Sequence, residues 1–333
     1  MGGARVKKVL LAVVGVLALA GAAVVFVVNA RAGDTGTNAV PVVTGQRLTL
    51  SPGRLLFRNT AAGPDSGKLA SVPLATPDAP RQVGDLRCDR FAVAAGTGVC
   101  LAVHPDVLPA VSDVIVLDDK LGVKYKESLP GTPSRARVSP DGKFVYWTLF
   151  VTGDSYAAQG FSTRAGVYEV QPGTLVKTIE ELPVFVDGAR YRAADVNYWG
   201  ITFAPDGNRF YTTLGSKGKT YLIEGDYQRF FGKSLRDNVE CPSLSPDGKR
   251  IAFKKKISEG VWRLSVLDLA TMRETPLAET RSVDDQALWQ DSSTILYGLA
   301  KPEGGSDIWS VPADGSGAPR LLVPDGASPA VVS

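Results

Sequence analysis

The sequence predicts an all-β protein folded as a six-bladed β-propeller of four-stranded antiparallel blades. One turn pattern recurs along the chain, as Ser139-Pro140-Asp141-Gly142, Ala204-Pro205-Asp206-Gly207, Ser245-Pro246-Asp247-Gly248 and a shortened Ser51-Pro52-Gly53. Two weaker copies complete a set of six turns about 44 residues apart, except for one longer gap: Ala95-Gly96-Thr97-Gly98 and Gln290-Asp291-Ser292-Ser293. Short runs of alternating apolar and polar residues between the turns indicate strands. A period of about 40–45 residues is typical of propeller blades.

The repeated turn is explained by its position between two strands of a blade, which we letter A to D from the channel outward. Proline presets φ near about −65° at the second position of the turn. Aspartate suits the third position, and glycine takes the left-handed conformation at the fourth. A type I turn of this kind, closed by a bulge, joins strands A and B. These residues are therefore predicted to be structural and not part of an active site.

A second sequence match supports six units. Leu69–Pro73 aligns without gaps with Ile308–Pro312, and both are predicted to be third strands. The closure of the ring is open to two interpretations, because Gln46–Leu50 and the C-terminal Ala327–Val332 could each form strand A of blade 1. We expect the C-terminal strand to complete the N-terminal blade, because joining the two ends removes an open sheet edge.

The N-terminal residues have a different composition. Basic residues precede an uncharged run from Val9 to Val28, and Arg31 follows it. Twenty apolar residues in a helix span about 30 Å, the thickness of bilayer hydrocarbon. The sequence therefore predicts four segments: a basic cytoplasmic tail at 1–8, a transmembrane signal anchor at 9–30, a tether at 31–44 and the propeller at 45–333 on the extracytoplasmic side of the cell membrane. The alternative is a signal peptide cleaved after Ala32, which would release a secreted protein.

Cysteine usage agrees with export. Cys88 and Cys100 flank two short predicted strands around a glycine turn, and Cys241 is left over. This spacing predicts a disulfide between Cys88 and Cys100 in an oxidising compartment, with three free thiols as the alternative. The formal net charge is +3 and the basic residues are dispersed, so no nucleic-acid partner is expected. No cofactor and no metal are predicted.

The segment Ser245–Phe253 has the sequence Ser-Pro-Asp-Gly-Lys-Arg-Ile-Ala-Phe, which resembles the TolB-type propeller repeat. The resemblance covers roughly residues 45–333 and is clearest in blades 3 to 5. It implies the fold and is poorly specific for function, because the same motif occurs in prolyl-oligopeptidase-like peptidases and in many exported proteins. TolB itself carries an α/β domain before its propeller and works in the Tol–Pal envelope system. The tether at 31–44 leaves no room for that domain.

Catalysis is not expected from the residues present. A Ser-His-Asp triad requires a histidine, and His104, the only one, lies in a predicted loop. The alternative function is a calcium-dependent hydrolase or lactonase at the central channel. Some six-bladed propellers that resemble lactonases hold a calcium ion there with oxygen ligands. Polar residues at the start of strand A in blades 3 to 6 should ring one channel mouth: Arg135, Arg137, Asn197, Tyr198, Asn238, Glu240, Asp284 and Asp285. Their mixed charges favour mutual pairing over a metal cage.

Binding is predicted where the repeat is enlarged. The chain gains residues at Thr152–Gly166, between strands B and C of blade 3, and at Asp187–Trp199, before strand A of blade 4. Both connections should emerge opposite the repeated turns, and long loops on a rigid scaffold commonly bind ligands. The predicted binding residues are Arg190, Tyr191, Arg192, Asp195, Asn197, Tyr198, Trp199 and Asp285, with packing beneath the loop as the alternative for the aromatic pair Tyr198 and Trp199. The sequence thus predicts a non-catalytic, membrane-tethered module with a protein partner at the cell envelope.

Overall fold

The computed structural model describes residues 40–43, 47–151 and 162–332. The predicted tail and anchor at 1–30 lie outside the described residues, as do most of the tether and residues 152–161 of the predicted insertion. Among the described residues, none forms a helix long and apolar enough to cross a bilayer. Every regular helix or strand element in these ranges is a strand. The described chain is therefore all-β, as predicted.

The strands form six sheets arranged as blades, and within each blade they are named from the channel outward. Blade 1 contains β27 (Gly326–Val332), β2 (Arg54–Asn59), β3 (Lys68–Pro73), β4 (Arg81–Arg87) and β1 (Val42–Val43). Blade 2 contains β5 (Arg90–Ala94), β6 (Thr97–Val103), β7 (Val111–Leu117) and β8 (Val123–Pro130). Blade 3 contains β9 (Thr132–Val138), β10 (Phe144–Val151), β11 (Ser162–Glu169) and β12 (Thr174–Val176).

The remaining blades follow in chain order. Blade 4 contains β15 (Asn197–Phe203), β16 (Arg209–Ser216), β17 (Lys219–Asp226), β18 (Phe231–Asp237), and then β13 (Val184–Val186) and β14 (Ala189–Tyr191). Blade 5 contains β19 (Glu240–Leu244), β20 (Arg250–Ser258), β21 (Val261–Asp268) and β22 (Glu274–Pro276). Blade 6 contains β23 (Leu288–Trp289), β24 (Thr294–Ala300), β25 (Ser306–Pro312) and β26 (Arg320–Val323).

Each pair of neighbouring blades encloses one apolar cluster. Six such clusters are present in the described part of the chain, one at each interface between blades. Side chains alternate between the two faces of a strand, so each blade contributes to both of its neighbours. In β2, for example, Leu55 and Phe57 pack towards blade 6, whereas Leu56 packs towards blade 2. The cluster between blades 6 and 1 shows that the ring is closed with six sectors.

The C-terminal strand closes the ring, as expected. β27 pairs antiparallel with β2, and the Gly53 amide donates to the Val332 carbonyl at 2.9 Å. The competing segment is not a strand where it is described. Its leucines Leu48 and Leu50 are buried in the cluster between blades 1 and 2. Val42–Val43, which the sequence assigned to the tether, instead forms β1 at the outer edge of blade 1.

The repeated turns lie between strands A and B, as the sequence predicts. In the turn at Ser139, the Gly142 amide donates to the Ser139 carbonyl at 2.9 Å, and Gly142 has a φ of 73°. The Ser139 hydroxyl donates to Asp141 and accepts from the Phe144 amide. The turn at Ser245 repeats these contacts, and its serine hydroxyl holds the pKa of Asp247 below its usual value. The polar side chains of the motif are thus used in hydrogen bonds within the turn.

The predicted disulfide is present. Cys88 and Cys100 are joined by an S–S bond of 2.14 Å, and Cys241 is a buried free thiol. Cys88 lies between β4 and β5, and Cys100 lies in β6. The bond therefore ties the connection between blades 1 and 2 to the second strand of blade 2.

Replacing both bridging cysteines, as Cys88→Ser with Cys100→Ser, should destabilise the protein by about 3 kcal/mol, because a loop of this size gains that much chain entropy when unfolded. The loop closed by the bond has a sequence separation of 12. Urea unfolding of the oxidised wild type and the double variant would measure the difference. Wild-type protein kept under reducing conditions should match the double variant, and equal midpoints for all three samples would contradict the prediction.

Candidate binding groove between blades 4 and 5

The connection from blade 3 to blade 4 first forms a hairpin and then crosses one face of the ring. β13 and β14 pair with each other, and β13 adds in parallel to β18, the outermost strand of blade 4. The chain then returns from this outer edge to the start of β15 beside the channel. Residues 192–196 therefore cross the end of blade 4 that carries the turn between β16 and β17.

Hydrogen bonds fix this crossing segment to the turn beneath it. The Tyr191 hydroxyl donates to the Ser216 hydroxyl at 2.8 Å, and Ser216 donates to Asp195 at 2.6 Å. The second carboxylate oxygen of Asp195 accepts from the Lys217 amide at 2.6 Å. These bonds from Ser216 and Lys217 hold the pKa of Asp195 below its usual value. The carboxylate is therefore ionised at neutral pH and fixed in place.

A groove of about 800 Å³ lies beside this segment, between blades 4 and 5. We call it the blade 4–5 groove. Blade 4 supplies Trp199 and the turn at Gly215–Thr220, and blade 5 supplies Trp262. The other lining residues are polar or charged in the main: Asp195, Asn197, Asp237, Asn238, Glu240, Lys256, Ile257, Ser258 and Glu259. Two aromatic side chains thus line a groove that is otherwise rich in hydrogen-bonding groups.

Both tryptophans are half-buried and held by their neighbours. The Trp199 ring lies against Gly215, where a Cβ atom would come within 2.4 Å of the ring, so only glycine leaves room for it. The Trp262 indole N–H donates to Glu240 at 3.2 Å, and the Lys254 ammonium lies 4.4 Å from the centre of the Trp262 ring. Aromatic rings held in this way present a preformed surface to a ligand.

The structure brings only some of the predicted binding residues together. Asp195, Asn197 and Trp199 line the blade 4–5 groove. Arg190 and Arg192 are exposed on the hairpin and the crossing segment, but they line a separate pocket with Glu180–Val184 and not the groove. Tyr198 is fully buried in the cluster between blades 3 and 4, so its ring supports the fold.

Asn197 also has a structural role. Its side-chain carbonyl accepts from the Thr163 amide at 2.8 Å, and its amide donates to the Asp195 carbonyl at 3.1 Å. These bonds join β11 of blade 3 to the start of β15. Asn197 therefore positions the wall of the groove.

The aromatic part of the groove on blade 5 was not predicted from the sequence, and Asn238 and Glu240 were predicted only as residues of the channel mouth. Trp262 and Glu259 lie at the turn between β20 and β21, which carries no insertion. A signal was available, because turns of this class emerge on the same face in every blade. An aromatic residue at the equivalent turn of the neighbouring blade would have been the candidate.

The acidic residues predicted at the channel mouth pair with cations, as the mixed charges indicated, whereas Arg137 forms no ion pair in the described part of the chain. Asp284 lies 3.0 Å from Arg135 and 2.5 Å from Lys254. Asp285 lies 3.5 Å from Arg90 and also accepts from the Gly298 amide at 2.9 Å. In the ranges that the structure describes, no group of three His, Cys, Asp or Glu side chains is arranged to hold a metal ion. The acidic side chains of the calcium alternative, Glu240, Asp284 and Asp285, are thus engaged by cations.

His104 is paired and not simply solvated. Its Nε2 lies 3.0 Å from the carboxylate of Asp113, which also accepts from the Ser128 hydroxyl at 2.6 Å. The serine and the histidine therefore both face the aspartate. A catalytic triad requires the serine hydroxyl on the imidazole instead.

The architecture and this face define a class of protein: a closed six-bladed propeller with paired charges at its channel mouth and a groove on the face opposite the repeated turns. Comparison with solved structures shows that, among such propellers, the chain has a TolB-like fold. TolB from Acinetobacter baumannii matches with a TM-score of 0.59 and 18% identity, over 84% of this chain and 66% of that one. A protein from Agrobacterium tumefaciens assigned as TolB matches with a TM-score of 0.51 and 12% identity, over 81% and 87%.

The fold is shared with an enzyme as well. A puromycin-hydrolysing peptidase from Mycobacterium tuberculosis matches with a TM-score of 0.51 and 14% identity, over 86% of this chain and 48% of that one. This chain thus spans about two thirds of the Acinetobacter TolB and about half of the peptidase. The sequence matches no protein-family model and no curated protein. At these identities the likeness is one of fold.

Proposed function

We propose that the protein is a non-catalytic binding module that holds a protein partner on the face formed by blades 4 and 5. The observation that carries this proposal is the blade 4–5 groove, about 800 Å³ in volume and lined by two half-buried tryptophans on rigid strands. Tryptophan and arginine are the residues most enriched in interface hot spots. Arg190 and Arg192 are exposed at the outer edge of blade 4, on the segment that leads to Asp195 in the groove wall, and we include them in the proposed surface.

The charges of this face suit a partner of mixed charge. The groove is lined by the carboxylates Asp195, Asp237, Glu240 and Glu259, and by the amines of Lys219 and Lys256. A basic or amide side chain of the partner would fit between the acids, whereas acidic groups would meet Arg190 and Arg192. Opposite charges on adjacent parts of one surface fix the orientation of a bound protein more than they raise its affinity.

The location of the module is part of the proposal. Segment 9–30 would anchor the chain in the cell membrane with the propeller on the extracytoplasmic side, or the protein would be secreted after cleavage at Ala32. The disulfide between Cys88 and Cys100 supports an oxidising compartment. Mass measurement of the mature N-terminus would separate anchor from cleaved peptide. Protection of the propeller from external protease in intact cells would contradict export.

Charge reversal on the segment that leads to the groove should abolish partner recovery. In the variant Arg190→Glu with Arg192→Glu, two exposed cations become anions, and like charges facing the partner cost several kcal/mol. Co-purification from detergent-solubilised membranes, with proteins identified by mass spectrometry, would compare this variant with the wild type. The partner expected is one that the wild type retains and the variant loses.

The matched control reverses two lysines on the opposite face, as Lys143→Glu with Lys249→Glu. Both lysines follow a repeated turn and are exposed. This control should retain the partner, and both variants should melt at the temperature of the wild type. Equal recovery with all three proteins would refute the assignment of this face, and loss with both variants would show a general dependence on charge.

A further inference from the structure

The channel contains a second cavity, which is distinct from the blade 4–5 groove. Its volume is about 280 Å³, and residues of all six innermost strands contribute to its wall. The lining extends to the prolines of the repeated turns, at Pro140, Pro205 and Pro246. The cavity therefore approaches the face opposite the proposed protein-binding surface. A volume of this size corresponds to several water molecules at about 30 Å³ each.

The charged residues of this cavity are mainly cationic. Arg90, Arg135 and Arg137 line it, whereas Asp285 is the one carboxylate on its wall in the described chain. Asp285 pairs with Arg90 at 3.5 Å. Arg135 pairs with Asp284, a residue outside this lining, and its Nε donates to the Cys241 sulfur at 3.3 Å. Two of the three guanidinium groups thus contact a carboxylate, and one of these also contacts a thiol sulfur.

Arg137 has no such partner. Its guanidinium donates to the Ala287 carbonyl at 2.9 Å, and among the described residues no carboxylate lies within ion-pair distance of it. Its Nε is buried and makes no hydrogen bond to the described part of the chain. Burial lowers the pKa of Arg137 to about 10, so the group is still charged at neutral pH. The Asp285 carboxylate attracts Arg137 through space without contacting it, and a largely desolvated charge without a direct ion pair is costly to the folded state.

We propose that the central cavity binds a small oxyanion, a phosphate or carboxylate group, with Arg137 as its main charged contact. The planar guanidinium can donate two parallel hydrogen bonds to such a group. Arg135 and Arg90 add positive potential from the same wall of the cavity. Apolar side chains lie around them, including Phe91, Leu244 and Trp289, and this low-polarity surrounding strengthens the attraction. The binding needs no other reactant and involves no covalent step.

Calorimetric titration of the full chain with inorganic phosphate, and separately with succinate, tests the proposal at constant ionic strength set with sodium chloride. We expect saturable binding of at least one of the two anions to the wild type. The anion that binds more tightly shows whether the site prefers a phosphate or a carboxylate group. No saturable binding of either anion would overturn the proposal, whatever any variant does.

The variant Arg137→Gln should weaken the binding roughly tenfold or more, the change expected when one charge-assisted hydrogen bond is lost. The control Arg273→Gln removes an exposed arginine and should bind as the wild type does. Equal weakening in both variants would show general electrostatics and overturn the site. If the Arg137 variant does not fold, protection of wild-type Arg137 from phenylglyoxal by the bound anion decides the matter, and unchanged modification overturns the proposal. Neither result depends on recovery of a protein partner, so this site and the blade 4–5 groove can fail separately.

Discussion

Deletion of residues 326–333 is expected to abolish the cooperative folded state. β27 is the innermost strand of blade 1 and supplies all of the main-chain pairing on that side of β2. Its removal would uncover Leu56 and Phe57, which have no exposed surface in the intact ring. Each buried side chain of this size contributes about 1.5–3 kcal/mol. Added to the lost strand pairing, the total approaches the whole stability of a domain, about 5–15 kcal/mol.

The loss also extends to the neighbouring blade. Ala330 and Val332 belong to the cluster between blades 1 and 2, and the Ser328 hydroxyl accepts from the Phe91 amide at 2.9 Å. Calorimetry of the truncated protein should show no unfolding peak, while deletion of Ser333 alone should leave the transition in place. A cooperative transition at the wild-type temperature in the truncated chain would mean that the segment ending at Leu50 can replace β27, which would contradict the role of β27 in closing the ring.

The point substitution Ala330→Glu refines this test. Ala330 is packed in the cluster between blades 1 and 2, so a larger charged side chain there would displace its apolar neighbours and should destabilise the ring strongly. Ala327 lies in the same strand and is half-buried, so Ala327→Glu is the matched control and should have the smaller effect. Similar losses from both would argue against an orientation of β27 that buries Ala330.

Much of the fold could be predicted because its turns are specified locally. A proline, an aspartate and a glycine at fixed positions, as in Pro246, Asp247 and Gly248, define a turn without any knowledge of the rest of the chain. Counting the turns then gives the number of blades. The disulfide between Cys88 and Cys100 was predictable for the same reason, because a short hairpin brings both residues together.

The site could be predicted less well, because it depends on contacts between distant segments. No period or motif in the sequence marks the pairing of β13 with β18, and this pairing places the hairpin at the outer edge of blade 4. Tyr198 is buried and its chain neighbour Trp199 is half-buried in the groove wall, because successive side chains of β15 point to opposite faces of the strand. Trp262 lies at a turn of ordinary length, so only the packing of blade 5 beside blade 4 identifies it.

The substitution Lys254→Met should cost about 3–5 kcal/mol of unfolding free energy, the usual loss when one partner of a buried ion pair is removed. Lys254 is only 3% exposed, and its ammonium lies 3.7 Å from Glu240, which is itself buried. Without the lysine, Glu240 would keep only the Trp262 N–H as a donor from a side chain. Asp284 would be affected less, because it is partly exposed and still pairs with Arg135.

Two further variants separate the buried charge from other effects. Lys256→Met removes a lysine two residues along the same strand, where it pairs with the exposed Glu259, and should change stability by less than about 0.5 kcal/mol. The double variant Lys254→Met with Glu240→Gln should recover part of the loss, because no uncompensated carboxylate is left in the interior. Urea unfolding measures all four proteins. If the double variant is no more stable than Lys254→Met, the loss arises from packing against Trp262, and the wall of the blade 4–5 groove then depends on that contact instead of on the buried ion pair.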